Sequence, residues 1–267
     1  MSREESREES RTDPRKGSSA GPGGNPRIAS VPAARLGETL ALLDTHVGVR
    51  VPGVLDERAA ASWAAEVDRA EDAWVADFDG DQHCLGRAYY THLEEDRLDD
   101  YFDDAEETNR RVESCLPGMQ ARLRALVAAI VSGEARHREG FCGAGVHVFS
   151  PDKWLAHNGG DVHFDTEGLE DEQRERGARA LTLVLMLRPP VTGGGLRLWD
   201  IRYQGTDAVT RAMIAAPSAL VSYLPGELLV LDSYRLHQIQ PFSGAVRRIS
   251  ATLHAVEAAP GVWDTWF

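Results

Sequence analysis

Lysine is almost missing from this chain. Lys16 and Lys153 are the only two among 29 basic side chains, so nearly all positive charge is arginine. Positive charge as a whole is outnumbered by 42 acidic residues, for a formal net charge of −13. That balance argues against a nucleic-acid or anionic-membrane surface, because phosphate binding needs clustered Lys and Arg. Cysteine is scarce too. Cys84, Cys115 and Cys142 form no CxxC pair and supply neither a disulfide framework nor a zinc-finger spacing. No apolar run approaches the ~20 residues of a membrane helix, and no apolar stretch follows the N-terminal charges as in a secretory leader. A reducing cytoplasm is the expected setting. Also missing are a glycine fingerprint after a strand, a P-loop and a GxSxG elbow. What remains is a chain of 267 residues, 42% of them hydrophobic, long enough to bury a sizeable core.

Charge is distributed unevenly. Residues 1–35 carry seven basic and five acidic side chains, and the remainder carries 22 basic against 37 acidic. The first stretch repeats Ser-Arg-Glu-Glu and then turns Gly-, Ser- and Pro-rich through Pro26. Such a segment buries too little apolar surface to offset its ordering entropy, so residues 1–35 are expected to form a disordered tail. Residues 36–267 are expected to form one domain. Val47, Val49 and Val51 alternate as a short strand ending at Pro52-Gly53. Asp56 is a helix N-cap candidate, with a helix over 57–70. A second helical stretch over 103–133 breaks at Pro117-Gly118. Beyond that break Met119, Leu123, Leu126, Val127 and Ile130 share one helix face, the signature of a core stripe. Helical support thus spans about 55–135. From Gly140 the texture changes to short β-like runs separated by Asn158-Gly159-Gly160, Gly193-Gly194-Gly195, Pro225-Gly226 and Ser243-Gly244. Many short strands at such spacing indicate a sandwich or jelly roll over about 140–256. The expected fold class is α+β.

The histidines carry the chemistry. A His-x-Asp tripeptide such as His163-Phe164-Asp165 is expected about once by chance in a chain with nine histidines, and alone it carries no weight. Its context adds weight. It follows a turn signal at the start of the β-rich half, and residues two apart on an extended strand point to one side. The similar His92-Leu93-Glu94 and His137-Arg138-Glu139 sit in highly charged stretches and read as solvated. A third ligand candidate, His237, follows the buried-looking run Glu227–Asp232 and precedes Pro241. Two histidines and one carboxylate make a facial triad that suits non-heme Fe(II) and leaves three coordination positions open. Arg248-Ile249-Ser250 lies shortly beyond His237, again with two polar residues on one side of a strand. Arginine grips a carboxylate through two parallel hydrogen bonds, and a serine hydroxyl adds one. Arg248 is favoured over Arg247 because its partner position is polar; a register shifted by one would exchange them.

These residues, in the order His163-Phe164-Asp165, Gly194-Gly195-Leu196, Pro225-Gly226-Glu227, His237-Gln238-Ile239-Gln240-Pro241 and Arg248-Ile249-Ser250, resemble the Fe(II)/2-oxoglutarate-dependent oxygenases. Within them the pattern is similar to the prolyl-hydroxylase-like branch. The resemblance covers roughly residues 140–256. It implies a double-stranded β-helix, or jelly roll, with N-terminal helices packed on one sheet. It also implies Fe(II) on His163, Asp165 and His237, 2-oxoglutarate on Arg248 and Ser250, and O2 as oxidant. The implied activity is hydroxylation of an unactivated C–H bond coupled to decarboxylation of 2-oxoglutarate. Related halogenases carry Ala or Gly at the triad carboxylate, so Asp165 implies hydroxylation or desaturation and not chlorination: a hydroxylase and not a halogenase. One departure stands out. A Tyr on the strand after the metal pair often meets the distal carboxylate in that branch, whereas Ala180–Leu187 offers only Thr182 as a polar side chain.

Substrate-pocket candidates are Arg87, Tyr90, Trp154 and His254. Arg87, Tyr89 and Tyr90 form either a polar-aromatic cluster for a carboxylate or amide, or a strand with buried rings. His254 shares a strand face with Arg248, Ser250 and Thr252, and either lines the cavity or packs in the core. Thr166–Arg179 reads as a solvated loop or short helix, with a lid as the sharper alternative. His157 is expected on an exposed loop, Trp199 near the mouth, and Trp263 and Trp266 as plugs of the sandwich. The expected partner is a small molecule, an amino acid or biosynthetic intermediate, with no nucleic acid and no membrane. A peptide or protein hydroxylase, a non-catalytic β-sandwich binding module and a cupin-type dioxygenase are the competing readings. A locally positive pocket inside an acidic shell is expected, since a dianionic co-substrate must enter.

Overall fold

The computed structural model describes residues 25–267. The expected tail lies outside the described residues over 1–24, and its final stretch is ordered. Ile28–Ser30 forms a strand parallel to Gly48–Val51, and Val31 is buried. Gly48–Val51 would otherwise be an open sheet edge, and covering that edge explains why a segment of linker-like composition takes up a fixed place.

The helical half follows the local signals. Glu57–Arg69 begins at Asp56, whose Oδ1 accepts the Ala59 N–H at 2.7 Å. Ala105–Cys115 and Met119–Val131 are separate helices, broken where Gly118 adopts φ +78°. Met119, Leu123, Val127 and Ile130 are buried, as their spacing requires. Tyr89–Glu94 is a short helix and not a strand.

These helices cover one face of a ten-stranded mixed sheet. Its central strands run in the order Leu228–Asp232, Ala180–Arg188, Arg248–Ala259, Gly145–Phe149 and Gln82–Leu85. A three-stranded sheet of Ser218–Val221, Leu196–Arg202 and Arg235–Ile239 packs on the other face. Period-two alternation divides the long strand Arg248–Ala259 between two environments. Ile249, Ala251, Leu253 and Ala255 join the core beneath the helices. Arg248, Ser250, Thr252 and His254 line a cavity on the other face. A polar ladder on one face and an apolar one on the other fixes the register, since a slip by one residue would bury the ladder in the helical core.

Other motif residues have structural employment. Glu227, 2% exposed, accepts from Arg50 Nε and Nη2 at 2.6 and 2.8 Å. Gln238 Nε2 donates to Gly160 O at 2.9 Å. Trp263 and Trp266 are buried, as expected of plugs. Trp199 is buried beside Phe164 and Leu236, away from any mouth. Among the described residues no helix is long and apolar enough to cross a membrane.

Candidate functional site

Gly159 brings the histidine-bearing loop against the small sheet. It adopts φ +81°, and a Cβ there would sit 2.7 Å from Ile239 O, so only glycine allows this approach. Gly160 N then donates to Ile239 O at 3.0 Å. His163 and His237 exchange backbone hydrogen bonds of 3.1 and 3.0 Å, and Asp165 N donates to Ser233 O at 2.9 Å. The strand expected over His163–Asp165 is therefore a single antiparallel bridge. The shared direction of the two side chains survives, because it depends on extended backbone and not on strand length.

One ligating atom each of His163, Asp165 and His237 lie within 4.8 Å of one another. His163 Nε2 is 3.4 Å from Asp165 Oδ1, and His237 Nε2 is 3.3 Å from Oδ2. Each Nδ1 lies 2.8 Å from a backbone carbonyl, that of Asp161 for His163 and of Arg235 for His237. A carbonyl only accepts, so in the neutral rings the proton sits at Nδ1 and the Nε2 lone pair faces the cluster. Burial disfavours the charge of Asp165, yet the two imidazoles hold its carboxyl well below the usual carboxylate range. Burial likewise opposes protonation of His163, but the Asp165 carboxylate outweighs it and pushes the imidazole up to about 9. The cluster is thus poised to hold a positive charge at its centre.

The cluster opens into a cavity of about 400 Å³ between the two sheets. At one end lies Arg248, 1% exposed, with its guanidinium carbon 5.5 Å from the ring centroids of both Phe149 and Tyr223. Its Nε donates to Gly194 O and its Nη1 to Ser250 Oγ, both at 3.1 Å. No carboxylate pairs with it among the described residues. A buried cation without an anion is costly, and an anion at this end of the cavity would offset that cost. Arg247 faces outward on Trp74 and pairs with Asp68 and Glu71 at 3.5 and 2.9 Å. The expected locally positive pocket is not what the lining shows: it holds more carboxylates than cations, and positive charge is confined to the Arg248 end. Arg248 is its one Lys or Arg, and Asp81, Glu94, Asp161 and Glu167 lie around the rest.

Tyr90, Trp154 and His254 line the cavity. Arg87 does not. Its Nη1 meets His92 Nε2 at 2.9 Å and its Nη2 donates to Asp104 at 2.5 Å, so it braces two helices. His92, expected to be solvated, is fully buried, and its Nδ1 lies 2.9 Å from Ala88 O. His157 is exposed, as anticipated. Thr166–Arg179 contains the short helix Asp171–Glu175 and is anchored by buried Leu169 and Ala178. Among the cavity residues that escaped the sequence reading, Tyr223 and His147 feel the charge of Arg248. Tyr223 is 8% exposed, and its hydroxyl lies near the Arg248 guanidinium without a hydrogen bond of ordinary geometry. It supplies beside Arg248 the phenol that Ala180–Leu187 lacks, from the end of a different strand. His147 faces the cavity from the strand paired with Ser250, and burial, then Arg248, pushes it down to about 3.

No family model matches the sequence, and no curated protein matches it either. Solved structures do. The non-heme α-ketoglutarate-dependent epimerase SnoN from nogalamycin biosynthesis superposes with TM-score 0.53 at 19% identity, over 84% of this chain and 83% of that one. The carbocyclase SnoK of the same pathway gives 0.55 at 15% identity, over 88% of each chain. An N-substituted L-amino acid dioxygenase from Burkholderia ambifaria AMMD gives 0.54 at 17%, over 88% of this chain and 91% of that one. At such identities the likeness is one of fold, and the chain has the fold these enzymes share.

Proposed function

We propose that the chain is an Fe(II)- and 2-oxoglutarate-dependent oxygenase that hydroxylates an unactivated C–H bond of a small molecule. In this reading the two facing sheets are a double-stranded β-helix and residues 36–267 form one catalytic domain. The observation that carries it is one cavity holding both a two-histidine, one-carboxylate cluster and a buried, unpaired arginine. Both absent groups fit. The convergent Nε2 atoms and the ionised Asp165 make an N2O donor set suited to Fe(II), and Arg248, Ser250 Oγ and the Tyr223 hydroxyl suit the distal carboxylate of a dicarboxylic acid. The same fold in SnoN and SnoK, both α-ketoglutarate-dependent, and in the amino acid dioxygenase supports the assignment.

His163, Asp165 and His237 would hold the metal. Arg248 would orient the co-substrate with a fork that permits one angle of approach, Ser250 adding a donor and Tyr223 its O–H. Once bound, iron and 2-oxoglutarate supply the oxidising chemistry. The protein excludes water through Phe149, Val184, Leu196, Leu231 and Ile239, which wall the cavity. A volume of about 400 Å³ is in the range of small-molecule sites, which supports a small substrate over a peptide.

The test is succinate formation from 2-oxoglutarate by anaerobically loaded protein on admission of O2, across a panel of metabolites. Product analysis must accompany it, because an epimerase and a carbocyclase share the fold. Succinate with a product heavier by one oxygen atom is expected. Protein that neither binds 2-oxoglutarate nor forms succinate with any substrate refutes the reading.

A further inference from the structure

Thr182 is the junction of a hydrogen-bond chain that reaches from the candidate metal ligands to a ring on the cavity wall. Its Oγ1 lies 2.6 Å from Asp165 Oδ2, 3.0 Å from Ser233 Oγ and 3.2 Å from His254 Nδ1. A hydroxyl has one proton and two lone pairs. The ionised Asp165 accepts only, so it takes the single proton. Ser233 and His254 must then both donate to Thr182. His254 therefore carries its proton at Nδ1. Burial disfavours a second proton on this ring, so Nε2 keeps its lone pair. The ring is held in place by stacking on Trp266, with centroids 5.7 Å apart and planes at 28°. Nε2 has no protein partner among the described residues, and His254 lines the cavity.

Arg248 and His254 lie six residues apart on one strand, about 20 Å between Cα atoms. A five-carbon dicarboxylate seated on Arg248 does not extend that far, so the His254 end is left for the substrate. Thr252, 5% exposed, presents a hydroxyl without a protein partner to the same cavity. Glu94, Asp161 and Glu167 also line the cavity with no ion-pair partner among the described residues, and burial raises the carboxyl of Glu94 and pushes that of Glu167 up to about 7.

We propose that His254 is a specificity residue that reads a hydrogen-bond donor on the substrate, an amine N–H or a hydroxyl, through an Nε2 lone pair fixed by the Thr182–Asp165 chain. This rests on the oxygenase reading for the identity of the reaction, but the tautomer does not. The substrate class that follows is an amine or alcohol, over a carboxylate or phosphate, which bring no N–H or O–H to Nε2.

The first test is ligand-free. Nitrogen-15 spectra of the zinc-loaded full chain are expected to show His254 with a protonated Nδ1 and a bare Nε2; a protonated Nε2 overturns the proposal. The second uses matched probes at the size of the cavity: a primary amine, its trimethylammonium derivative and the corresponding carboxylate, scored by stimulated succinate release. At least tenfold preference for the amine is expected, and equal response to the trimethylammonium probe, or response to none, overturns it. In His254→Asn the amide keeps the bond to Thr182 and loses the reach of Nε2, while His254→Gln keeps the reach. KM for the preferred probe is expected to rise tenfold or more in the first, with partial recovery in the second and 2-oxoglutarate affinity within twofold of wild type in both. Equal KM values in wild type and His254→Asn refute the role. Failure of wild-type protein to bind 2-oxoglutarate is a different result, which refutes the oxygenase reading.

Discussion

Replacing Arg248 separates two effects that are usually confounded. The guanidinium is 1% exposed, wedged between Phe149 and Tyr223, and lacks an anionic partner. A bound carboxylate would gain two charge-assisted hydrogen bonds of about 1.5–3 kcal/mol each. Arg248→Ala is therefore expected to weaken 2-oxoglutarate by about 3–5 kcal/mol, a hundred- to few-thousand-fold rise in Kd. Arg248→Lys, which keeps charge but loses the fork, should fall between. Arg247 is the internal control. Its pairs with Asp68 and Glu71 are about one-third and more than half exposed on the acidic side and are worth at most about 1 kcal/mol. Arg247→Ala should leave 2-oxoglutarate affinity within twofold. Calorimetric titration into anaerobic, metal-loaded protein measures all three. Melting adds a second readout. At a ligand concentration of 100 Kd the wild type should gain about 2.7 kcal/mol, or roughly 5–10 °C, and Arg248→Met should gain nothing. Ligand-free Arg248→Met should melt no lower than wild type, because the buried charge it removes is unpaired. If Arg247→Ala hurts binding more than Arg248→Ala, the strand register and the site built on it are wrong.

Three further outcomes follow. His163→Ala and His237→Ala should each abolish stoichiometric Fe(II) binding, Asp165→Ala should weaken it, and Thr182→Val should weaken it about 10–100-fold by freeing Asp165; metal titration under anaerobic conditions decides, and unchanged binding in His163→Ala and His237→Ala refutes the centre. His147 is buried and its folded value of about 3 lies below the unfolded ~6.5, so the unfolded chain binds more protons between those values. Stability is then whole above ~6.5 and falls toward pH 3 by up to about 1.4 kcal/mol per unit from this group, and His147→Phe should flatten that slope in denaturant melts against pH. Gly226 sits at φ +76° with a would-be Cβ 2.1 Å from Leu55 O, so Gly226→Ala should cost roughly 2–4 kcal/mol in unfolding free energy, and a neutral result would mean the turn rearranges freely.

What was legible in the sequence had local causes. Asp56 capped its helix and Pro117-Gly118 broke the next because those effects act within one turn. Arg248 and Ser250 were separable from Arg247 because a strand turns every second side chain the same way. His163, Asp165 and His237 were found by residue type in an expected order, although no long strand holds the first two. Illegible residues were those whose position depends on pairing between distant segments. Nothing near Tyr223 in sequence announces an arginine, and only the packing of the small sheet on the large one brings its ring beside Arg248. The missing Tyr on Ala180–Leu187 was the one available signal, and it did not say which segment would carry a phenol instead. Arg87 failed for the opposite reason. Its charged and aromatic neighbours suggested a ligand site, but Asp104, 17 residues away, and buried His92 hold its guanidinium outside the cavity. A polar side chain in a sequence is a candidate for function only until its partners are counted. Arg87 and Arg248 each use two donors, but the charge of Arg87 is met by Asp104 outside the cavity, whereas Arg248 faces the cavity with no carboxylate beside it, together with Thr252 and His254.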